Sequence, residues 1–187
     1  MRNDKIKNTA KNNHDILKPS LNFLEKCNSL NKESLINWTA AIPILSPSKK
    51  VVQAGKGFFN NSLLKQHSPQ RGEYELLTAI QKFFIKSNIK SKKENIIIRQ
   101  SVFEIIDEFY SNILKDSKES VLIPTPAFGY YFCQCNNRNI KTKIFPTKKQ
   151  DRWKINPKML DDFLKKNKEV RIFIFNNPVN PTGVFYN

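Results

Sequence analysis

Long hydrophobic runs are missing from this sequence. No stretch approaches eighteen consecutive apolar residues, which excludes a transmembrane helix. No apolar segment follows the basic, polar stretch from Met1 to Asn13, so no signal peptide is expected. Cysteine is scarce. Cys27, Cys133 and Cys135 are too few, and odd in number, for a disulfide framework. Reduced thiols and a cytoplasmic location are the expectation. The Cys133-x-Cys135 pair lacks the further Cys or well-placed His that a metal site needs. Acidic residues are also short: 16 Asp plus Glu stand against 32 Lys plus Arg, a formal charge of +16.

That excess charge invites a nucleic-acid partner, but its form argues against one. The basic residues are spread through almost every segment, and most are Lys. Arg is the better residue for bidentate phosphate or base contacts. The chain is also rich in Asn and Ile, which share AT-rich codons with Lys, so a solvated, composition-driven charge accounts for the excess. What is present is enough for a core. Of 187 residues, 39% are hydrophobic and 11% aromatic, which excludes a wholly disordered chain. The length suits one domain or part of a larger one.

Residues 1–19 read as a polar tail ending at Pro19, and Ser20 to Leu30 as a short helix capped by Ser20. Trp38 to Pro47 reads as extended chain and turns. Ser46-Pro47 is placed to open a helix through Val51 and Val52, because Pro fits the first helical position. From residue 72 the pattern sharpens. Leu76, Leu77, Ile80, Phe83 and Phe84 predict a helix over about 72–86. Val102, Ile106, Phe109, Tyr110 and Ile113 form another helical stripe, and Phe128 to Asn137 a further helix. Asn156 and Pro157 open a helix carrying Met159, Leu160, Phe163 and Leu164. Between these lie two apolar runs, Ile96 to Ile98 and Val121 to Ile123, and two further strand candidates, Ile140 to Phe145 and Arg171 to Phe175.

These runs do not alternate polar and apolar residues, so both of their faces must be covered. That predicts an α/β fold with helix/sheet/helix layers around a mainly parallel sheet. In such sheets ligands sit beyond the carboxyl ends of the strands. Three segments occupy those ends. Arg99 to Glu104 enters a helix, whose first N–H groups suit a phosphate; Ser101 followed by Glu104 also reads as an ordinary capping box. Pro124-Thr125-Pro126-Ala127-Phe128 leaves its strand extended, which holds the Phe128 ring over the sheet edge. Asn176-Asn177-Pro178-Val179-Asn180-Pro181-Thr182-Gly183 is the most informative stretch. Its Asn-Pro pairs force Asn177 and Asn180 away from helical geometry and present the Asn180 amide from a stiff loop.

The Asn-Pro-Val-Asn-Pro-Thr-Gly element, placed after an apolar strand, resembles the signature of the fold-type I, pyridoxal-phosphate-dependent aminotransferases (class I/II). Ser46-Pro47-Ser48, Gly72 with Leu76, Ala79 and Ile80, Ile96 to Glu104, and Pro124 to Tyr131 resemble further segments of that family in the right order, although Leu77 stands where Arg is usual. The resemblance implies that residues 46–187 are part of the family's large domain, with 1–45 a tail and arm. It implies pyridoxal phosphate as cofactor and amino-group transfer between an amino acid and a 2-oxo acid. Backbone N–H groups of Ser101, Val102 and Phe103 would hold the phosphate, although Ser101 stands where the family favours Gly. Phe128 would stack on the pyridine ring, and Asn180 would donate to its phenolate oxygen. His67 stands where the family often has a Tyr that reaches a neighbouring subunit's phosphate.

The resemblance also implies groups that match no position here: the Schiff-base lysine, the Asp that pairs with the pyridinium nitrogen, and the Arg that clamps the substrate carboxylate. The expectation is therefore an N-terminal portion, inactive alone, with no catalytic residue of its own. It would work as a homodimer or with a complementing C-terminal half. The alternative is a non-catalytic basic module that keeps the sheet and grips nucleic acid.

Overall fold

The computed structural model describes residues 2–30, 45–59 and 65–187. The chain divides into two compact units, Met1–Asn37 with Ile106–Asn187, and Trp38–Ile105.

The first unit is built on a parallel sheet. Its central strand, β1 (Ser120–Thr125), pairs with β2 (Lys141–Pro146) on one side and β3 (Val170–Phe173) on the other. Val121, Leu122 and Ile123 are all 0% exposed. Three successive residues can be buried only if both faces of the strand are covered, as the unbroken apolar run implies. Register puts Val121 beside Thr142 and Ile172, and Ile123 beside Ile144.

On one face, Val121 and Ile123 pack with Tyr110 and Cys135, and Ile106, Tyr131, Ile172 and Ile174 close around them. The helices that supply this layer are α4 (Val102–Ile113) and α5 (Tyr130–Asn137). On the other face, Phe145 of β2 meets Phe163 of α6 (Pro157–Lys166) edge-on, with ring centroids 5.6 Å apart. Asn156 caps α6 as expected: its Oδ1 accepts from Met159 N–H at 3.2 Å, with Pro157 at the first position. The result is an α/β fold with helices on both sides of a parallel sheet.

The N-terminus departs from the sequence reading. Residues 2–28 form one helix, α1 (Arg2–Asn28), with Pro19 and Ser20 inside it. Neither a polar tail nor a cap at Ser20 is found. The helix gains support from its neighbour rather than from its own weak apolar stripe. Asn136 Nδ2 donates to Asn13 Oδ1 at 2.8 Å, and Asn13 Nδ2 donates to Asn137 Oδ1. A Cβ on Gly129, at the start of α5, would stand 3.2 Å from Leu17 Cδ2.

The second unit holds α2 (Lys49–Phe58) and α3 (Tyr74–Lys86). The cap of α2 is Ser48, whose Oγ accepts from Val51 N–H at 3.4 Å, so the helix starts two residues after the expected Pro47. Ile96 to Ile98 is a correction of another kind. Ile96 has extended φ/ψ, yet the run joins no ladder among the described residues. Its one bond of that type is Ile98 N–H to Arg71 C=O at 2.9 Å. An apolar run becomes a strand only where a neighbour supplies the ladder. The expected extended chain at Trp38 to Pro47 lies outside the described residues except for Leu45, Ser46 and Pro47.

Candidate functional site

β1 and β3 run parallel, so the segments that leave them emerge at the same rim. From β1 come Pro126, Ala127 and Phe128. Thr147, just after β2, folds down on this exit, with its N–H and its hydroxyl each donating to Thr125 C=O at 2.8 Å. The Phe128 ring is half-buried among aromatics. It lies 5.0 Å from the Tyr130 ring and 5.8 Å, edge-on, from that of Tyr131. Burial pushes the Tyr131 phenol above its ordinary pKa of 10.0, so it stays a neutral wall at physiological pH.

From β3 comes the Asn-Pro loop. The last bond to the sheet is Ile174 N–H to Leu122 C=O at 3.0 Å. Beyond it the loop ties itself together. Asn180 N–H donates to Asn176 Oδ1 at 3.0 Å, Val179 N–H to Val184 C=O at 2.8 Å, and Gly183 N–H to Val179 C=O at 2.7 Å. Gly183 has φ +70°, a backbone geometry that costs a glycine nothing. The exposed Asn180 side chain is thus carried on a closed, internally bonded turn.

Asn180 and Ala127 line one cleft, together with Trp153, Ile155 and Tyr186. The segments leaving β1 and β3 thus share a cleft through Ala127 and Asn180, while Phe128 is not among the residues that line it. Trp153, Ile155 and Tyr186 were missed. Arg152 and Trp153 carry φ of +53° and +58°, and no glycine or asparagine marks that turn in the sequence. Tyr186 had a faint signal, as the aromatic three residues past Gly183.

Ser101, Val102 and Phe103 are exposed at the start of α4, in the second unit. Phe128 and Asn180 belong to the first. The Ser101 half of the capping box is made, with Glu104 N–H donating to Ser101 Oγ at 3.3 Å, while the Glu104 carboxylate accepts the preceding Gln100 N–H at 2.8 Å. Neither of these bonds uses the N–H of Ser101, Val102 or Phe103. His67 is exposed in the same unit. Cys133 and Cys135 face the core, where burial raises both thiol pKa values, and the Cys135 thiol donates to the Tyr110 oxygen at 3.4 Å.

Comparison with known proteins identifies the family and the fold. Residues 33–187 match the family model described as aminotransferase class I and II. The chain is 27% identical over 153 residues to an aspartate aminotransferase of Bacillus subtilis, covering 81% of this chain and 38% of that one. It is 28% identical over 172 residues to a probable aspartate aminotransferase of Methanocaldococcus jannaschii, covering 91% and 44%. The fold superposes on the crystal structure of an aspartate aminotransferase from Thermotoga maritima with a TM-score of 0.72 at 20% identity, covering 89% and 44%. The chain spans less than half the length of each of these relatives. No described helix is long and apolar enough to cross a membrane.

Proposed function

Because the chain belongs to the class I and II aminotransferases, whose members depend on pyridoxal phosphate, we propose that residues 46–187 supply the cofactor-binding part of such an enzyme's large domain. The observation that supports this reading is that Ala127 and Asn180 meet at one rim, beyond the carboxyl ends of two parallel strands. When bound, pyridoxal phosphate supplies an electron sink for amino-group transfer between an amino acid and a 2-oxo acid.

The chain's own residues take distinct tasks. Phe128 offers a flat apolar face to the pyridine ring, and its contact with Tyr131 limits how far it swings. Asn180 donates its amide to the ring's phenolate oxygen, which favours the ionised form of that oxygen. The N–H groups of Ser101, Val102 and Phe103 hold the phosphate, helped by the positive end of α4.

The fit differs between these places. An aromatic ring and an exposed amide suit a flat heteroaromatic with a ring oxygen. At the start of α4, the Glu104 carboxylate, held by Gln100 N–H, sets a negative charge beside the donors that a phosphate needs. A bound phosphate must tolerate that charge.

Amino acid and 2-oxo acid substrates, a dimeric or complemented assembly and a cytoplasmic setting follow from the same reading. No lysine among these 187 residues matches the family's covalent position. The 187-residue polypeptide alone therefore binds the cofactor without turning over. The test supplies it with pyridoxal phosphate, an amino acid and a 2-oxo acid. Cofactor binding without product is the expected result; sustained amino-group transfer would defeat the inactivity, and no cofactor binding would defeat the proposal itself.

A further inference from the structure

We infer that Tyr186 is a positioning residue for Asn180, its hydroxyl anchoring the Asn-Pro loop to the backbone N–H of Ile155. This rests on the proposed cofactor role of Asn180.

Past Ile174 the loop has no further ladder bond to β1 among the described residues. Its internal bonds give it a shape but fix it to nothing outside itself. The outside anchor comes through Asn177 and Tyr186. The Asn177 amide grips the Tyr186 backbone from both sides: Nδ2 donates to Tyr186 C=O at 2.9 Å, and Oδ1 accepts Tyr186 N–H at 3.0 Å. The Tyr186 ring then packs 5.0 Å from that of Phe175, and its hydroxyl accepts Ile155 N–H at 2.8 Å. One side chain thus bridges the segment after β3 to the segment that enters α6.

The far end of the bridge is itself held. Asn156, the next residue, caps α6. Two residues earlier, Arg152 and Trp153 both sit in the left-handed region, and their N–H groups are bound to Lys149 and Lys148 carbonyls, each at 2.9 Å. Such backbones persist only where the surroundings over-determine them. Trp153 and Tyr186 line the same cleft as Asn180 and leave a cavity of about 20 Å³, room for roughly one water. The underside of the loop is therefore wedged by aromatic rings. A donor amide on a loop held this way needs little ordering when a ligand arrives.

The test uses pyridoxine 5′-phosphate, which has no aldehyde and so cannot react with the chain's many lysines. Affinity is measured by calorimetry on the full 187-residue polypeptide. Tyr186→Phe keeps the ring and removes the hydroxyl; it should bind five- to tenfold more weakly with an unchanged far-UV spectrum. Asn177→Asp keeps the acceptor and loses the donor, and should weaken binding too. Asn180→Ala should weaken binding, and adding Tyr186→Phe to it should cost nothing more, because an anchor has no value once its cargo is gone. Hydrogen exchange at the Ile155 amide should quicken in Tyr186→Phe. Additive losses, or wild-type affinity in Tyr186→Phe, overturn the positioning role alone. No binding by the wild type overturns the proposed function and this inference with it.

Discussion

The Glu104 carboxylate accepts the Gln100 N–H at 2.8 Å, so the helix start marked for a phosphate already carries a negative charge of its own. Glu104→Gln keeps an acceptor for that N–H and removes the charge. Affinity for pyridoxine 5′-phosphate should rise about three- to tenfold at low salt, on the order of 1 kcal/mol. The gain should shrink as ionic strength rises. Calorimetry at two salt concentrations reads both effects.

Gly72 lies against Ile98. Its φ is +112°, and a Cβ there would stand 2.5 Å from Ile98 Cγ1 and 2.9 Å from Ile98 Cβ. Gly72→Ala combines a disfavoured backbone with overpacking and should destabilise the unit by about 1–3 kcal/mol. A lower urea midpoint, with faster proteolysis near residues 70–100, is the expected result.

Ile123 is fully buried at the centre of the sheet, packed in one cluster with Tyr110 and Cys135. Ile123→Ala should cost about 2–5 kcal/mol, the transfer of the lost groups plus the cavity they leave. Ile144, its neighbour on β2, is 52% exposed, and Ile144→Ala should cost much less. Chemical denaturation of the pair separates the two.

The same core sets an alkaline limit. Burial raises the Cys135 thiol above its ordinary 9.0 and the Tyr110 phenol above its ordinary 10.0, and the bond from Cys135 raises Tyr110 further. Both groups hold their protons more tightly when folded, so their contribution is complete below about pH 9. Above it the unfolded chain loses protons first, and stability falls with rising pH. Thermal melts from pH 7 to 10.5 should show the fall beginning near pH 9, with a shallower slope in Cys135→Ala than in wild type.

The legible parts of the fold were those with a local cause. Periodicity marked α3, and the Asn156-Pro157 start marked α6. The unbroken Val121 to Ile123 run marked a strand covered on both faces. The losses were tertiary. α1 is polar and contains Pro19, and what supports it is a pair of Asn contacts and a close approach at Gly129. Ile96 to Ile98 looks like a strand, yet a ladder needs a partner that no local pattern encodes. At the rim, the stiff Asn-Pro loop was readable because proline restricts its own neighbours. The Trp153 wall was not, because its left-handed turn uses residues that carry no turn signal.

Among the described residues, the two outer strands of the sheet are unequally guarded. β2 carries Lys141, Lys143 and Pro146, residues that discourage a stray chain from joining an edge. β3 offers one arginine, and the Phe175 ring just beyond it is 51% exposed. Newly made copies should therefore stick to one another through the β3 side, and their abundance in a cell should depend on holdase chaperones. Solubility on overexpression should respond far more to a charge placed at Phe175 than to one placed at Ile144.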